Sequence, residues 1–237
     1  LGEVVIPPAA SAPLRIELQR LRLPARESAV ERARREAAGI AASDPLAALD
    51  PRSLPAMDVS IQALYLGEER LGRWHFRSRP SGSGARFDQL DLDLKGLRLD
   101  GSLDWQGTGM ASRTAYRGRL SGGDLSDVLL AWGYAPSITS RDFQVDIDGS
   151  WPGSPAMAGL RHFSGSLAAQ ARQGQLLEVE GGAAALRVFG LLNFNALGRR
   201  LRLDFSDLLG RGLAYDRIGG SLAGTDGVLL TREPLVL

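Results

Sequence analysis

The pattern that most limits what this chain can fold into is strict alternation of apolar and polar residues. That period of two marks strands with one face turned away from water. It runs through Leu14-Arg15-Ile16-Glu17-Leu18, Val59-Ser60-Ile61-Gln62-Ala63, Leu90-Asp91-Leu92-Asp93-Leu94, Phe143-Gln144-Val145-Asp146-Ile147 and Leu201-Arg202-Leu203-Asp204-Phe205. The phase slips by one residue from Leu18 to Leu21 and Leu23, and from Leu94 across Gly96 to Leu97 and Leu99, which predicts β-bulges. Turn residues punctuate the runs at Gly67-Glu68-Glu69, Pro80-Ser81-Gly82-Ser83-Gly84 and Thr225-Asp226-Gly227. Short spacing and the lack of alternating long helices favour antiparallel meanders over a doubly wound parallel sheet. A weak repeat, Gly101-Ser102-Leu103, Gly165-Ser166-Leu167 and Gly220-Ser221-Leu222, fits the same mostly β expectation.

Three segments read as helices. Residues 26–42 place Ala29, Ala33, Ala37 and Ile40 on one stripe, with Glu31 four residues before Arg35, and Ser43-Asp44-Pro45 ends them. Asp124 is a candidate N-cap for Leu125, Val128, Leu129 and Trp132, with Gly133 closing the helix and Trp132 packing on its apolar stripe. The third, roughly 182–197, is apolar almost all round and is expected to be buried. It is too short to cross a bilayer, and no run of about 18 apolar residues occurs elsewhere. The first residues, Leu1-Gly2-Glu3, and the closing Pro234-Leu235-Val236-Leu237 read as internal, so further sequence is expected on both sides.

Composition narrows the chemistry. Twenty-eight basic and 27 acidic side chains give a net charge of +1, too little for a dedicated nucleic-acid binder. Lys95 is the only lysine and stands outside any P-loop pattern, so phosphate-loop and Schiff-base chemistry have no other residue to rest on. Cysteine is absent, which excludes disulfides, Cys-ligated zinc and thiol nucleophiles. His75 and His162 have no metal-binding spacing, and no G-x-S-x-G elbow or dinucleotide fingerprint occurs. No cofactor or metal is therefore expected. Asp91 with Asp93, and Asp146 with Asp148, are carboxylate pairs on strand faces, the raw material of a glycosidase-type hydrolase; solvent exposure on the polar face is the simpler reading. Trp74, Trp105, Trp132 and Trp151 look too scattered to form a stacking platform.

What remains is the apolar face. It must be covered by a second sheet, by helices or by an apolar ligand. A closed sandwich or barrel core and a groove for lipid tails both satisfy it.

From about Arg52 onward the chain resembles the C-terminal portion of proteins of the AsmA-like family of the bacterial envelope. The resemblance rests on Gly101-Ser102-Leu103-Asp104-Trp105, Trp132-Gly133-Tyr134, Trp151-Pro152-Gly153-Ser154-Pro155, Gly190-Leu191-Leu192-Asn193-Phe194-Asn195-Ala196-Leu197 running into Arg199 to Asp207, Gly212 to Ile218, and Asp226-Gly227-Val228. It implies a long curved antiparallel sheet forming an apolar groove, with three short helices, no catalytic residues and no cofactor. Residues 1–237 would be one fragment of a longer groove protein, with a helical insertion at 25–52 and the AsmA-like region at 53–237. The implied function is to shield phospholipid acyl chains passing between inner and outer membranes across the periplasm, in a parent anchored in the inner membrane of a Gram-negative bacterium. A non-catalytic envelope scaffold with a closed β core is the alternative.

On that reading the candidate groove lining is Leu14, Ile16, Leu18, Val59, Ile61, Leu90, Leu92, Leu94, Leu103, Trp105, Val145, Ile147, Phe163, Leu167, Leu201, Leu203 and Phe205. The candidate groove cap is the third helix, through Leu186, Phe189, Leu192 and Phe194. Phospholipid acyl chains and the two membranes are the expected partners, and nucleic acid is not.

Overall fold

A computed structural model describes residues 2–5, 12–24, 43–177 and 213–232. They are mostly strand: β1 (Gly2–Val5), β2 (Leu14–Leu18), β3 (Leu21–Leu23), β4 (Met57–Leu66), β5 (Glu69–Ser81), β6 (Gly84–Leu94), β7 (Leu97–Gln106), β8 (Arg113–Gly122), β9 (Asp142–Pro152), β10 (Ser164–Leu176), β11 (Leu213–Thr225) and β12 (Val228–Thr231). They form one sheet in the order β1-β2-β4-β5-β6-β7-β8-β9-β10-β11-β12, with β3 also paired to β4. The sheet is open, since β1 and β12 end the order without meeting. The β1–β2, β4–β5, β5–β6, β9–β10, β10–β11 and β11–β12 pairs are antiparallel, whereas β2 and β3 run parallel to β4. By contact density the chain divides into two units, Leu1–Leu94 with Asp100–Ala115 and Trp151–Ala158, and Lys95–Leu99 with Tyr116–Ser150 and Gly159–Leu237.

Two expected phase slips resolve differently. At Leu94–Leu97 the slip is a two-residue hairpin turn and not a bulge: Lys95 (φ +51°) and Gly96 (φ +88°) are both left-handed, the geometry that matches strand twist in tight hairpins. Asp226 (φ +46°) and Gly227 (φ +78°) repeat it between β11 and β12. At Leu18–Leu21 the chain breaks between β2 and β3. Leu18 opposite Ile61 and Leu21 opposite Leu64 keep one register with β4, while β4 shifts register against β5 between Ile61 and Leu64. A bulge therefore exists there, on the partner strand.

The helix at residues 125–131 forms as its sequence predicts, and is labelled α1 (Leu125–Ala131). The Asp124 carboxylate accepts the Ser126 amide at 2.9 Å and the Ser140 amide at 3.1 Å, capping its N-terminus. At the other end the Gly133 amide reaches the Leu130 carbonyl and the Tyr134 amide the Leu129 carbonyl, at 3.0 and 2.8 Å, with Gly133 at φ +79°. That is a Schellman stop, and it explains the Trp132-Gly133-Tyr134 motif. Leu125, Val128 and Leu129 pack inward as expected, but Trp132 does not: it is exposed at the cap and stacks with Lys95. The expected helices at 26–42 and 182–197 lie outside the described residues. Among the described residues no helix is long and apolar enough to cross a membrane.

Candidate functional site

Direct cross-strand partners share a sheet face, so the register places the alternating residues in rows. In the first unit Leu18, Ile61, Trp74 and Leu92 lie side by side across β2, β4, β5 and β6. Ile16, Val59 and Phe76 form the next row, and Leu14 with Met57 the one after. Val59, Ile61, Leu90 and Leu92 are buried, while Leu14, Ile16, Leu18 and Leu94 are half-buried. Trp74 and Phe76 belong to this face although neither was among the expected lining residues; they alternate with Arg73, His75 and Arg77 as strictly as any run that was noted.

Leu103 and Trp105 lie on β7, Leu103 half-buried and Trp105 only 2% exposed. The Trp105 indole donates to the Ser112 hydroxyl at 2.9 Å, so its polar edge is satisfied inside the fold.

In the second unit the rows cross β9, β10 and β11. Phe143, Ala171 and Ile218 form one, Val145, Ala169 and Gly220 the next, and Ile147, Leu167 and Leu222 the third. The first row is covered by α1 through Val128, Leu125 and Leu129. The third is covered by Phe163, which is not a strand residue but follows the short 3-10 turn Leu160–His162. Its ring lies over Gly149 and Gly224, where a Cβ would come within 2.3 and 2.9 Å of ring atoms. Between these two covered patches the middle row has the smallest side chains, with Ala169 exposed and Val145 and Gly220 half-buried. Sequence reasoning missed Ala169 and Gly220, because small residues give no hydrophobic signal of their own. Leu201, Leu203, Phe205 and the proposed cap residues Leu186, Phe189, Leu192 and Phe194 lie outside the described residues.

The opposite face is ionic. In the first unit Asp58 accepts from Arg77 at 3.0 Å and faces His75 at 3.2 Å; Asp88 pairs with Arg79 and Arg86 at 2.9 and 2.8 Å; Asp104 pairs with Arg86 at 2.7 Å. The carboxylate pairs weighed as acid–base candidates belong here. Arg73 stands 3.9 Å from both Asp91 and Asp93, and in the second unit Arg119 holds Asp146 at 2.7 Å and Arg117 holds Asp148 at 2.8 Å. Such pairs contribute little each at a wet surface, but opposite charges across neighbouring strands fix register.

The Trp151-Pro152-Gly153-Ser154-Pro155 motif is structural. The Trp151 indole donates to the Ser154 carbonyl at 3.0 Å, and Gly153 (φ +93°) turns the chain. The Ser154 amide and hydroxyl both donate to Asp44, at 2.8 and 2.6 Å, and the Leu46 amide adds a third bond at 2.9 Å. Burial pushes the Asp44 carboxyl up, but these hydrogen bonds outweigh it and hold it below the ordinary aspartate range.

A family model described as YhdP protein matches residues 1–236. Among curated proteins, the chain is 30% identical over 185 residues to the intermembrane phospholipid transporter YhdP of Escherichia coli (strain K12), covering 78% of this chain and 14% of that relative. The chain therefore spans about one seventh of the relative's length. No solved structure matches it.

Proposed function

Because the chain belongs to the YhdP family, we propose that it is one section of a phospholipid conduit whose apolar sheet face shields acyl chains in transit across the periplasm. The observation that carries this reading is the register. It lines apolar side chains into rows that continue from strand to strand on one face, while arginine–aspartate pairs occupy the other. An acyl chain in water costs about 0.8 kcal/mol per CH₂, roughly 12 kcal/mol for a tail of about sixteen carbons. A continuous apolar surface lowers that barrier at every step without a reaction, a nucleophile or a cofactor. The curved groove, the inner-membrane anchor of the parent and a cap at one groove end are parts of the same proposal.

The small-residue row Val145–Ala169–Gly220 adds a specific location. The covered rows at Phe143 and Ile147 are four residues, about 14 Å, apart along β9, which leaves room for a hydrocarbon tail along the small-residue row between them. Polar-face residues have no reason to meet one.

Neighbouring alanines give the test. Ala169 lies on the apolar face opposite Val145, and Ala168 on the polar face opposite Asp146; both are exposed. With a photoreactive residue at each position in the intact protein in living cells, capture of phospholipid at Ala169 and not at Ala168 is expected. The same contrast is expected between Leu92 and Asp93. Equal capture on both faces, or none with the protein folded and present, sinks the reading and leaves the scaffold.

A further inference from the structure

We propose that Arg20 and Arg70, gathered around Tyr65 on the ionic face of the first unit, form a binding site for a phosphate group. The proposal goes beyond acyl shielding, since this site lies on the face opposite the apolar rows. The register places it. Arg22 of β3 and Arg70 of β5 are the direct cross-strand partners of Tyr65 on β4, so the three side chains share one face. Leu21 and Leu64, one residue earlier on β3 and β4, pair on the other face, where Leu64 is buried. The break between β2 and β3 adds Arg20. Its guanidinium carbon lies 5.4 Å from the centroid of the Tyr65 ring, and that of Arg22 lies 5.6 Å from it, both within cation–π range.

What sets this corner apart is its lack of counter-charge. Elsewhere on the ionic face of the unit Arg73, Arg77, Arg79 and Arg86 each meet an aspartate of a neighbouring strand. Arg22 is likewise held by Glu68. Glu69, the cross-strand partner of Leu66, takes the opposite face by alternation. Among the described residues no carboxylate meets Arg20 or Arg70, and both side chains are exposed.

That imbalance selects the ligand. A ring contact restrains Arg20, so less side-chain freedom is lost when an anion arrives, yet the ring face gives no oxygen to the five N–H donors of the guanidinium. Two such forks beside one ring present more donors and more positive charge than the protein satisfies there. A carboxylate, with two oxygens, fills one fork. A phosphate group has the acceptor oxygens and the charge to engage both, and the planar fork matches its geometry bidentately. The phosphate of an anionic lipid headgroup and free phosphate share this chemistry.

The test is arginine-specific modification of the intact protein with phenylglyoxal, read residue by residue by peptide mass spectrometry at constant ionic strength. Inorganic phosphate and phosphatidylglycerol vesicles are added in separate arms, at matched phosphate concentration. Arg15, exposed on the same face but opposite Asp58, is the internal control. Slower modification of Arg20 and Arg70 together, with Arg15 unchanged, is expected. Protection that is stronger with vesicles assigns the site to a headgroup; protection at least as strong with inorganic phosphate assigns it to free phosphate. Arg70→Gln, at an exposed position, should raise the ligand concentration needed to protect Arg20 about tenfold, the size of one charge-assisted hydrogen bond, with melting temperature unchanged. No protection by either phosphate source, equal protection of Arg15, or protection of Arg20 indifferent to Arg70→Gln would overturn the site. Capture of tails at Ala169 is a separate readout on the other face, so failure of this site and failure of the acyl reading are told apart.

Discussion

Gly165 shows how much one missing Cβ can decide. Its φ of +149° is one that side-chain-bearing residues avoid, and a methyl group there would sit 2.2 Å from the Asp148 carbonyl oxygen and 2.4 Å from the Gly149 Cα. Gly101, in the first copy of the Gly-Ser-Leu repeat, has nearly the same φ of +146°, so two of the three copies share a backbone demand. Gly165→Ala should therefore cost about 3 kcal/mol, read as a lower urea midpoint. Gly123→Ala, where nothing stands within 4 Å of the added carbon, should stay near the parent value. The repeat was visible in the sequence, yet its cause was not. Period-2 patterns report side chains, whereas this constraint comes from a carbonyl on the neighbouring strand. Phe163 is a similar case: the partners it covers, Gly149 and Gly224, lie on two different strands.

At the scale of elements, α1 is seven residues long and depends on its caps. Burial raises the Asp124 carboxyl, but the Ser126 and Ser140 amides outweigh this and leave it below its ordinary value of 3.8. A carboxyl depressed in the folded state adds stability that is present above the unfolded value and lost as pH falls through the folded one. Asp124→Ala should thus destabilise the protein by about 1 kcal/mol at neutral pH. The difference from the parent should shrink as pH drops below about 4, measured as paired urea midpoints at pH 7 and pH 3. This helix was legible because Asp124, the 3-4 spacing of Leu125, Val128 and Leu129, and Gly133 are all local signals. The Asp44–Ser154 bond was not, since its partners are 110 residues apart in sequence. The Lys95–Gly96 turn escaped for a different reason: lysine is not a residue that announces φ > 0.

For the whole molecule the question is whether the apolar rows act as a path. Ala169→Trp fills the interval between the two covered patches with a large ring at a position that is already exposed. Its effect on stability should stay within about 0.5 kcal/mol, while phospholipid delivery by the intact protein should fall sharply. Ala168→Trp, on the polar face, should leave delivery unchanged. Phospholipid delivery in cells that rely on the protein measures both, and equal effects would count against a one-faced path. The face itself was largely readable: Leu18, Ile61 and Leu92 lie in one row because each strand repeats the same two-residue code. Where the face is covered and where it is bare depends on α1 and Phe163, and on small residues that carry no pattern.

The strand order carries one more implication. Among the described strands, each one from β4 to β11 is flanked by its predecessor and its successor. A chain wired this way closes mostly short loops, so it can assemble in the order of its synthesis, each hairpin docking on the edge left by the last. Among the described strands, β2 pairs past its successor, lying parallel to β4 and not beside β3, and so must wait for a later partner. The same wiring lets a hairpin be gained or lost without rethreading its neighbours. Such a protein can change its length over evolutionary time one strand pair at a time, keeping the apolar face continuous as it does so.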